Sequence, residues 1–323
     1  MTRWIILEEN SQDFLQKNIP YYEAWDSINF IDLGWSQDKK YLVTKNQTSY
    51  ILRLFKSDKL TEKQVEFNFI KECHDIIPCS KPIECGKVSD ISAYGYILLN
   101  YVEGKTLEET IETFSTQKQY DLGVIAGKIL KKIHELPISN DINQEEILGN
   151  LFYKKERQLN QYIEGNYRLP HEEEVISYVK NRLEAIKTQK IVKQHGDFHP
   201  GNLILTPQNN IVVIDFNRWD LGDPFEEFLK ISLFTVETSP VFALGQIEGY
   251  FNNQIPDIFW EQLKFYSLHT SLFSIVWAET FGANDVANMI TRYERIYQDY
   301  FTKDTLVPRW VEKALKQLKR SSI

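Results

Sequence analysis

"HGDFHPGN", residues 195–202, sets one acid, one amide and two histidines around a proline and two glycines. His195, Asp197 and His199 alternate, so on an extended strand all three would project to one side, as zinc or iron ligands do. The same residues also suit a kinase catalytic loop, and the stretch alone does not separate the two. The residues that follow do.

Between "NLIL" (202–205) and "VVID" (212–215) lies "TPQNN" (206–210), a proline and amide-rich turn joining two short apolar runs. This predicts a β-hairpin with a four-residue loop, Pro207–Asn210, and Thr206 paired with Ile211. That register sets Asn202 opposite Asp215, and cross-strand Cβ atoms stand about 4.5–5.5 Å apart. An amide oxygen and a carboxylate so placed would share a hard cation such as Mg²⁺. Asp197, five residues before Asn202, would overhang that ion and accept the proton of an attacking hydroxyl. One Asp at the nucleophile, with an Asn and a second Asp on the metal, is the division of labour in kinases. A zinc hydrolase would need a further ligand motif downstream, and none is present.

Working outward, "YLVTK" (41–45) and "SYILRLF" (49–55) flank the polar Asn46, Gln47 and Thr48 and predict another hairpin. Val65, Phe69 and Ile70 recur at helical intervals, and "YGYILLNYV" (94–102) reads as a further strand. After Gly104 the apolar period changes. Leu122, Ile125, Ala126, Ile129, Ile133 and Leu136 form one helical stripe, and Val175, Ile176, Val179, Leu183 and Ile186 form a second. The last hundred residues read as mostly helical, with Trp260, Phe265, Phe273 and Trp277 as core. These patterns predict an α+β, two-lobed chain: a β-rich lobe with its hinge over residues 1–102 and a larger helical lobe over 103–323.

The stretches "QHGDFHPGNLIL" (194–205) and "VVIDFNRWDLGDPFEEF" (212–228) resemble the aminoglycoside phosphotransferase and choline kinase family, small-molecule kinases with a protein-kinase-like fold. The resemblance extends to "LGWSQDKKYLV" (33–43) as a nucleotide loop containing Ser36, and to "SYILRLF" as the strand bearing the basic Arg53. It also takes in "EFNFIKEC" (66–73) as the lobe helix, and "ILLNYVEGKTL" (97–107) as the hinge.

It implies ATP or GTP held at the backbone of Leu99, Asn100, Tyr101 and Val102, with Ser36 over the phosphates. Arg53 would pair with phosphates and with Glu66, for which Glu62 is a competitor one turn earlier. Asp197 would be catalytic, and Asn202 and Asp215 would hold Mg²⁺. The chain departs from protein kinases in lacking their glycine-rich loop, in Asp215-Phe216-Asn217 where they have Asp-Phe-Gly, and in Arg53 where they have Lys.

The net charge of −8 argues against a nucleic-acid partner, which needs a basic footprint. The charged N-terminus and the absence of long apolar runs predict no signal peptide and no membrane partner, hence a cytoplasmic protein. Cys73, Cys79 and Cys85 fit no zinc spacing and read as reduced structural thiols.

The expected acceptor is a small hydroxyl compound bearing positive charge, aminoglycoside-like, docked on Asp220 and Glu227. Choline, homoserine, sugar or macrolide kinases are the alternatives, and a nucleotide-binding pseudokinase lacks support while Asp197, Asn202 and Asp215 are all present. Asp223, Pro224 and Glu226 read as an N-cap, first helical residue and N3 partner. His134, His195 and His199 read as structural.

Overall fold

The computed structural model describes residues 10–32, 38–90, 92–188, 190–302 and 305–321. Two compact units emerge: one comprises the chain up to Gly104 together with Ile204–Asn217, the other Lys105–Leu203 and the chain from Arg218 onward.

The first unit is built on an antiparallel sheet. Its strands are β1 (Ser27–Ile31), β2 (Lys39–Lys45), β3 (Thr48–Lys56), β4 (Pro82–Lys87) and β5 (Tyr94–Asn100), in the order β1-β2-β3-β5-β4. The turn between β2 and β3 is two residues, Asn46 and Gln47, both at positive φ, the conformation that a tight hairpin's twist requires. Thr48 already pairs with Lys45, so Lys40 lies opposite Arg53. Alternation puts Tyr41, Val43, Leu52, Leu54, Tyr96 and Leu98 into one core, while Arg53, Phe55, Ile97 and Leu99 are buried on the opposite side.

Helix α1 (Leu60–His74) packs on β4 and buries Lys63, Glu66, Phe67, Ile70 and Cys73. Val65, expected in the apolar stripe, is exposed. The helix is rotated from that expectation because its buried face carries an ionic pair, Lys63 and Glu66, as well as hydrocarbon.

The excursion 204–217 corrects the contiguous division at residue 102. Strands β8 (Leu203–Leu205) and β9 (Ile211–Val213) form the expected hairpin, and Val213 bridges Cys79 in parallel, donating to Pro78 and accepting from Ser80. Those backbone bonds fasten the hairpin to the first unit. The loop is three residues rather than four: Thr206 N donates to Asn210 O (3.0 Å) and Asn209 N to Thr206 O (2.9 Å), with Asn209 at φ 61°. This is a type I turn closed by a left-handed residue, which Asn tolerates. The pairing therefore slips by one from the expected register, and the cross-strand argument that set Asn202 against Asp215 does not hold.

The second unit is mainly helical. Helix α2 (Thr116–His134), capped by Ser115, packs closely on α3 (Pro240–Phe251), where Gly123 and Gly127 meet the backbone of Phe242 and Gln246 and where Gly245 and Gly249 meet that of Tyr120 and Val124. Ile125 lies outside the buried stripe and is exposed. A second core joins Val175, Val179, Leu183 and Ile186 to Phe265, Leu272 and Tyr293. The short strand β6 (Lys105–Thr106) opens this unit, and β7 (Val192–Gln194) pairs antiparallel with β10 (Asp220–Gly222). No helix among the described residues is long and apolar enough to cross a membrane.

Candidate active site

The loop 195–202 leaves β7 in the second unit and turns at once. Gly196 has φ 79°, and a Cβ there would run into the Arg218 carbonyl, so only glycine fits. His195 is fully buried; its Nδ1 accepts from Asp197 N (3.2 Å) and its ring meets Phe198 edge-on. His199 Nδ1 accepts from Gly201 N (3.1 Å) and caps the turn Pro200–Asn202. Both histidines thus shape the loop. Asn202 Nδ2 donates to the Asp197 carbonyl (2.9 Å), which ties those two predicted residues together.

The Asp197 carboxylate faces two cations and an imidazole ring. Lys230 Nζ lies 2.6 Å from Oδ1, Arg218 Nε 3.7 Å from Oδ2 and His199 Nε2 3.7 Å from Oδ1. Burial works to raise the Asp197 pKa, but these charges, led by Lys230, overcome it and hold the group at about 2. A carboxyl depressed in the fold stabilises it fully above the ordinary value of about 3.9 and loses that contribution as pH falls toward about 2. Asp197→Asn is therefore expected to flatten the stability curve between pH 4 and 2, and Lys230→Met to flatten it partly. Urea midpoints at stepped pH measure this; an Asn variant that tracked the wild type there would refute it.

Lys230 directly precedes a π-helical turn, Ile231–Thr235, whose displaced carbonyls at Ser232 and Leu233 accept from Arg295 Nη2 (2.7 and 3.2 Å). Phe234 of that turn sits under Lys230 and near the His199 ring.

The Glu227 carboxylate has no exposed surface, which corrects its expected role as a docking group. Its side chain is fully buried, and its carboxylate accepts from Gly196 N (3.0 Å) and Phe198 N (3.3 Å), with His134 Nε2 at 3.7 Å. Burial pushes its pKa up, yet His134 and the Gly196 N–H prevail and lower it. Glu227 braces the loop.

Asp223 accepts instead from Phe225 N (2.8 Å) and Tyr266 OH (2.7 Å), and burial pushes it up to about 7. Glu226, expected to close a capping box with it, pairs with Lys155 (2.6 Å). Asp220 is exposed, accepts locally from Leu221 N (2.8 Å), and shares a small cleft with Lys154, Arg218, Glu226, Glu227 and Lys230.

In the first unit, a cavity of about 190 Å³ is walled by Ile31, Ile51, Leu99, Tyr101, Val102 and Ile204 and ends in Lys40, Arg53 and Asp215. Of its hinge N–H groups, Asn100 donates to Lys81 O (3.0 Å) and Tyr101 to Ser49 O (3.1 Å). Arg53 pairs with Glu66 (2.5 Å) rather than the exposed Glu62, and also with Asp38 (2.5 Å). Lys63 bridges the same two acids at 2.8 and 2.9 Å. Ser36 lies outside the described residues.

Asp215 stands in the left-handed region at φ 63°, and Lys40 Nζ meets its Oδ2 at 2.8 Å. Such a backbone costs an ordinary L-residue about 1–2 kcal/mol, least for Asn and Asp. Lys40, Asp38, Lys63, Lys230 and Arg218 were absent from the sequence reading. Lys40 had a signal, since the two-residue turn at Asn46-Gln47 fixes it opposite Arg53; Lys230 and Glu227 reach the loop from some thirty residues away and had none.

Among the described residues no three of His, Cys, Asp or Glu gather as a metal cage. Mg²⁺ requires none, because it binds through one or two carboxylates together with substrate phosphates. Asp215, a carboxylate at the charged end of a cavity, is a donor of the right kind.

The model of the phosphotransferase enzyme family matches residues 27–266, and the chain belongs to that family. It is a small-molecule kinase with the family's two-lobed α+β fold. No sequence among the curated proteins matches it. Among solved structures it is similar to a thermostable mutant of aminoglycoside phosphotransferase APH(4)-Ia in ternary complex with AMP-PNP and hygromycin B. There the identity is 14% over 89% of this chain and 98% of that one, with a TM-score of 0.66. The GDP and kanamycin complex of APH(2")-IIia gives 13% identity, 86% and 95% coverage and a TM-score of 0.65. Spectinomycin phosphotransferase APH(9)-Ia with ADP and spectinomycin gives 16%, 91%, 94% and 0.59.

Proposed function

We propose that the chain moves the γ-phosphoryl group of Mg-ATP or Mg-GTP to a hydroxyl of a small molecule in the cytoplasm. The observation that carries this reading is the Asp197 carboxylate, kept ionised on a braced loop. At a pKa of about 2 it is a weak base, so its task is to orient the acceptor hydroxyl and take the proton late, as a loose transition state allows. Lys230 and Arg218 offset charge on the group in transfer. Asn202 and Asp215 are the residues we assign to Mg²⁺, which when bound neutralises phosphate charge. The base lies along Leu99, Asn100, Tyr101 and Val102; with two of those N–H groups already engaged, Val102 N–H is the donor we assign to it. Arg53 and Glu66 order this end of the cavity.

The finer reading is a cationic, aminoglycoside-like acceptor, supported by the net charge of −8, by exposed Asp220 and by the antibiotics bound to the structural relatives. Glu227 no longer supports it. A second reading, a metabolite kinase for a carboxylate-bearing alcohol such as homoserine, is favoured by Lys230 and Arg218 beside Asp197, since these would draw an anion. Turnover with Mg-nucleotide across aminoglycosides, amino alcohols, homoserine, sugars and macrolides, followed by product mass, separates them.

For a cationic acceptor, KM is expected to rise with ionic strength, screened over a Debye length of about 8 Å at physiological salt. It should rise again in Asp220→Asn. For a carboxylate acceptor, Arg218→Met raises it instead. A neutral acceptor indifferent to salt and to both variants would refute both charge assignments and leave the kinase reading standing.

A further inference from the structure

We infer that Lys40 of β2, and not Arg53 of β3, is the cation that takes the nucleotide's phosphates, an inference that rests on the nucleotide site proposed above. Both residues line the first-unit cavity and sit opposite each other in the sheet, so both are placed for the task. Their commitments differ.

Arg53 Nη1 is bound to Glu66, and Nη2 is shared between Asp38 and Glu66. Lys63 bridges the same two acids, so two cations and two anions offset one another there. All of it is buried, with side-chain exposures of 3% for Arg53, 4% for Glu66 and 8% for Asp38. Turning Arg53 toward a phosphate would strand two buried carboxylates on Lys63 alone, a costly rearrangement in low dielectric.

Lys40 pairs with Asp215, and that pair is more open, at 16% and 23%. A lysine is a point charge on a flexible stem and moves between partners without losing a fixed fork geometry. In the free protein it neutralises Asp215. When nucleotide arrives, Lys40 exchanges that carboxylate for a phosphate oxygen, which frees Asp215 for the cation. The strand pairing thus divides two jobs: Arg53 anchors helix α1 through Glu66, and Lys40 meets the ligand.

Calorimetry with a non-hydrolysable Mg-ATP analogue and with adenosine tests this on the full chain. Lys40→Met is expected to weaken the triphosphate by about tenfold or more, the usual worth of a charge-assisted bond, while adenosine binds as before. Lys40→Arg restores most of the loss. Without nucleotide, Lys40→Met should bind Mn²⁺ more tightly by electron paramagnetic resonance, because Asp215 has lost a neighbouring positive charge.

Triphosphate binding unchanged in Lys40→Met, or triphosphate and adenosine lost together, would overturn the inference alone. A wild type that binds no nucleotide would overturn the underlying site as well. Should Lys40→Met fail to fold, Lys40→Gln carries the same two readouts.

Discussion

Asp197→Ala is expected to lower kcat by about 10²–10⁴-fold, the range that a positioned acid or base supplies, with Mg-nucleotide affinity close to wild type. The split follows from the site's layout. Asp197 belongs to the second unit and is held by Lys230, Arg218 and the loop's own histidines, whereas the cavity proposed for the nucleotide is lined by residues of the first unit. Asp215→Ala should do the reverse, weakening the metal-nucleotide complex first. Product mass follows turnover and calorimetry follows binding. An Asp197→Ala enzyme keeping more than about a tenth of the wild-type kcat would remove the positioning role assigned to that carboxylate.

The second large effect is on stability. Glu227→Ala leaves the N–H groups of Gly196 and Phe198 without their buried acceptor and opens a void beside His134. Each buried group left unsatisfied costs about 1–3 kcal/mol, so a total on the order of 3–5 kcal/mol is expected. The urea midpoint should fall and kcat with it, because the loop carrying Asp197 loses its brace. Glu227→Gln keeps one good acceptor and should recover part of both. Were Glu227 an acceptor ligand, as the sequence suggested, the Ala variant would raise KM and leave unfolding unchanged.

That reversal marks where the sequence stops being informative. The family was legible in loop 195–202 and the hairpin after it, because residue types and spacing act there over a short stretch. The hairpin's register was missed by one, since three-residue and four-residue loops differ only in whether Asn209 adopts a left-handed backbone, and an Asn-Asn pair permits either. Arg53 was read correctly as paired with Glu66 because strand and helix are neighbours in sequence, but Asp38 and Lys63, which close the network around it, were not seen. Glu227 reads from the sequence as a substrate-docking acid, and Lys230 carries no local signal. What makes them part of the site is the β7–β10 pairing, which returns the chain beside loop 195–202, and no local pattern encodes that return.

The hairpin 204–217 has a consequence for how the protein is made. The first unit needs β9 beside Cys79, yet about a hundred residues of the second unit are synthesised between Gly104 and Ile204. At roughly 5–20 residues per second, the five-stranded sheet leaves the ribosome on the order of 5–20 seconds before its final piece exists. During that interval the chain next to Cys79 presents unpaired backbone, a surface for chaperones to cover. A gene fragment ending at residue 104 would leave it bare for good.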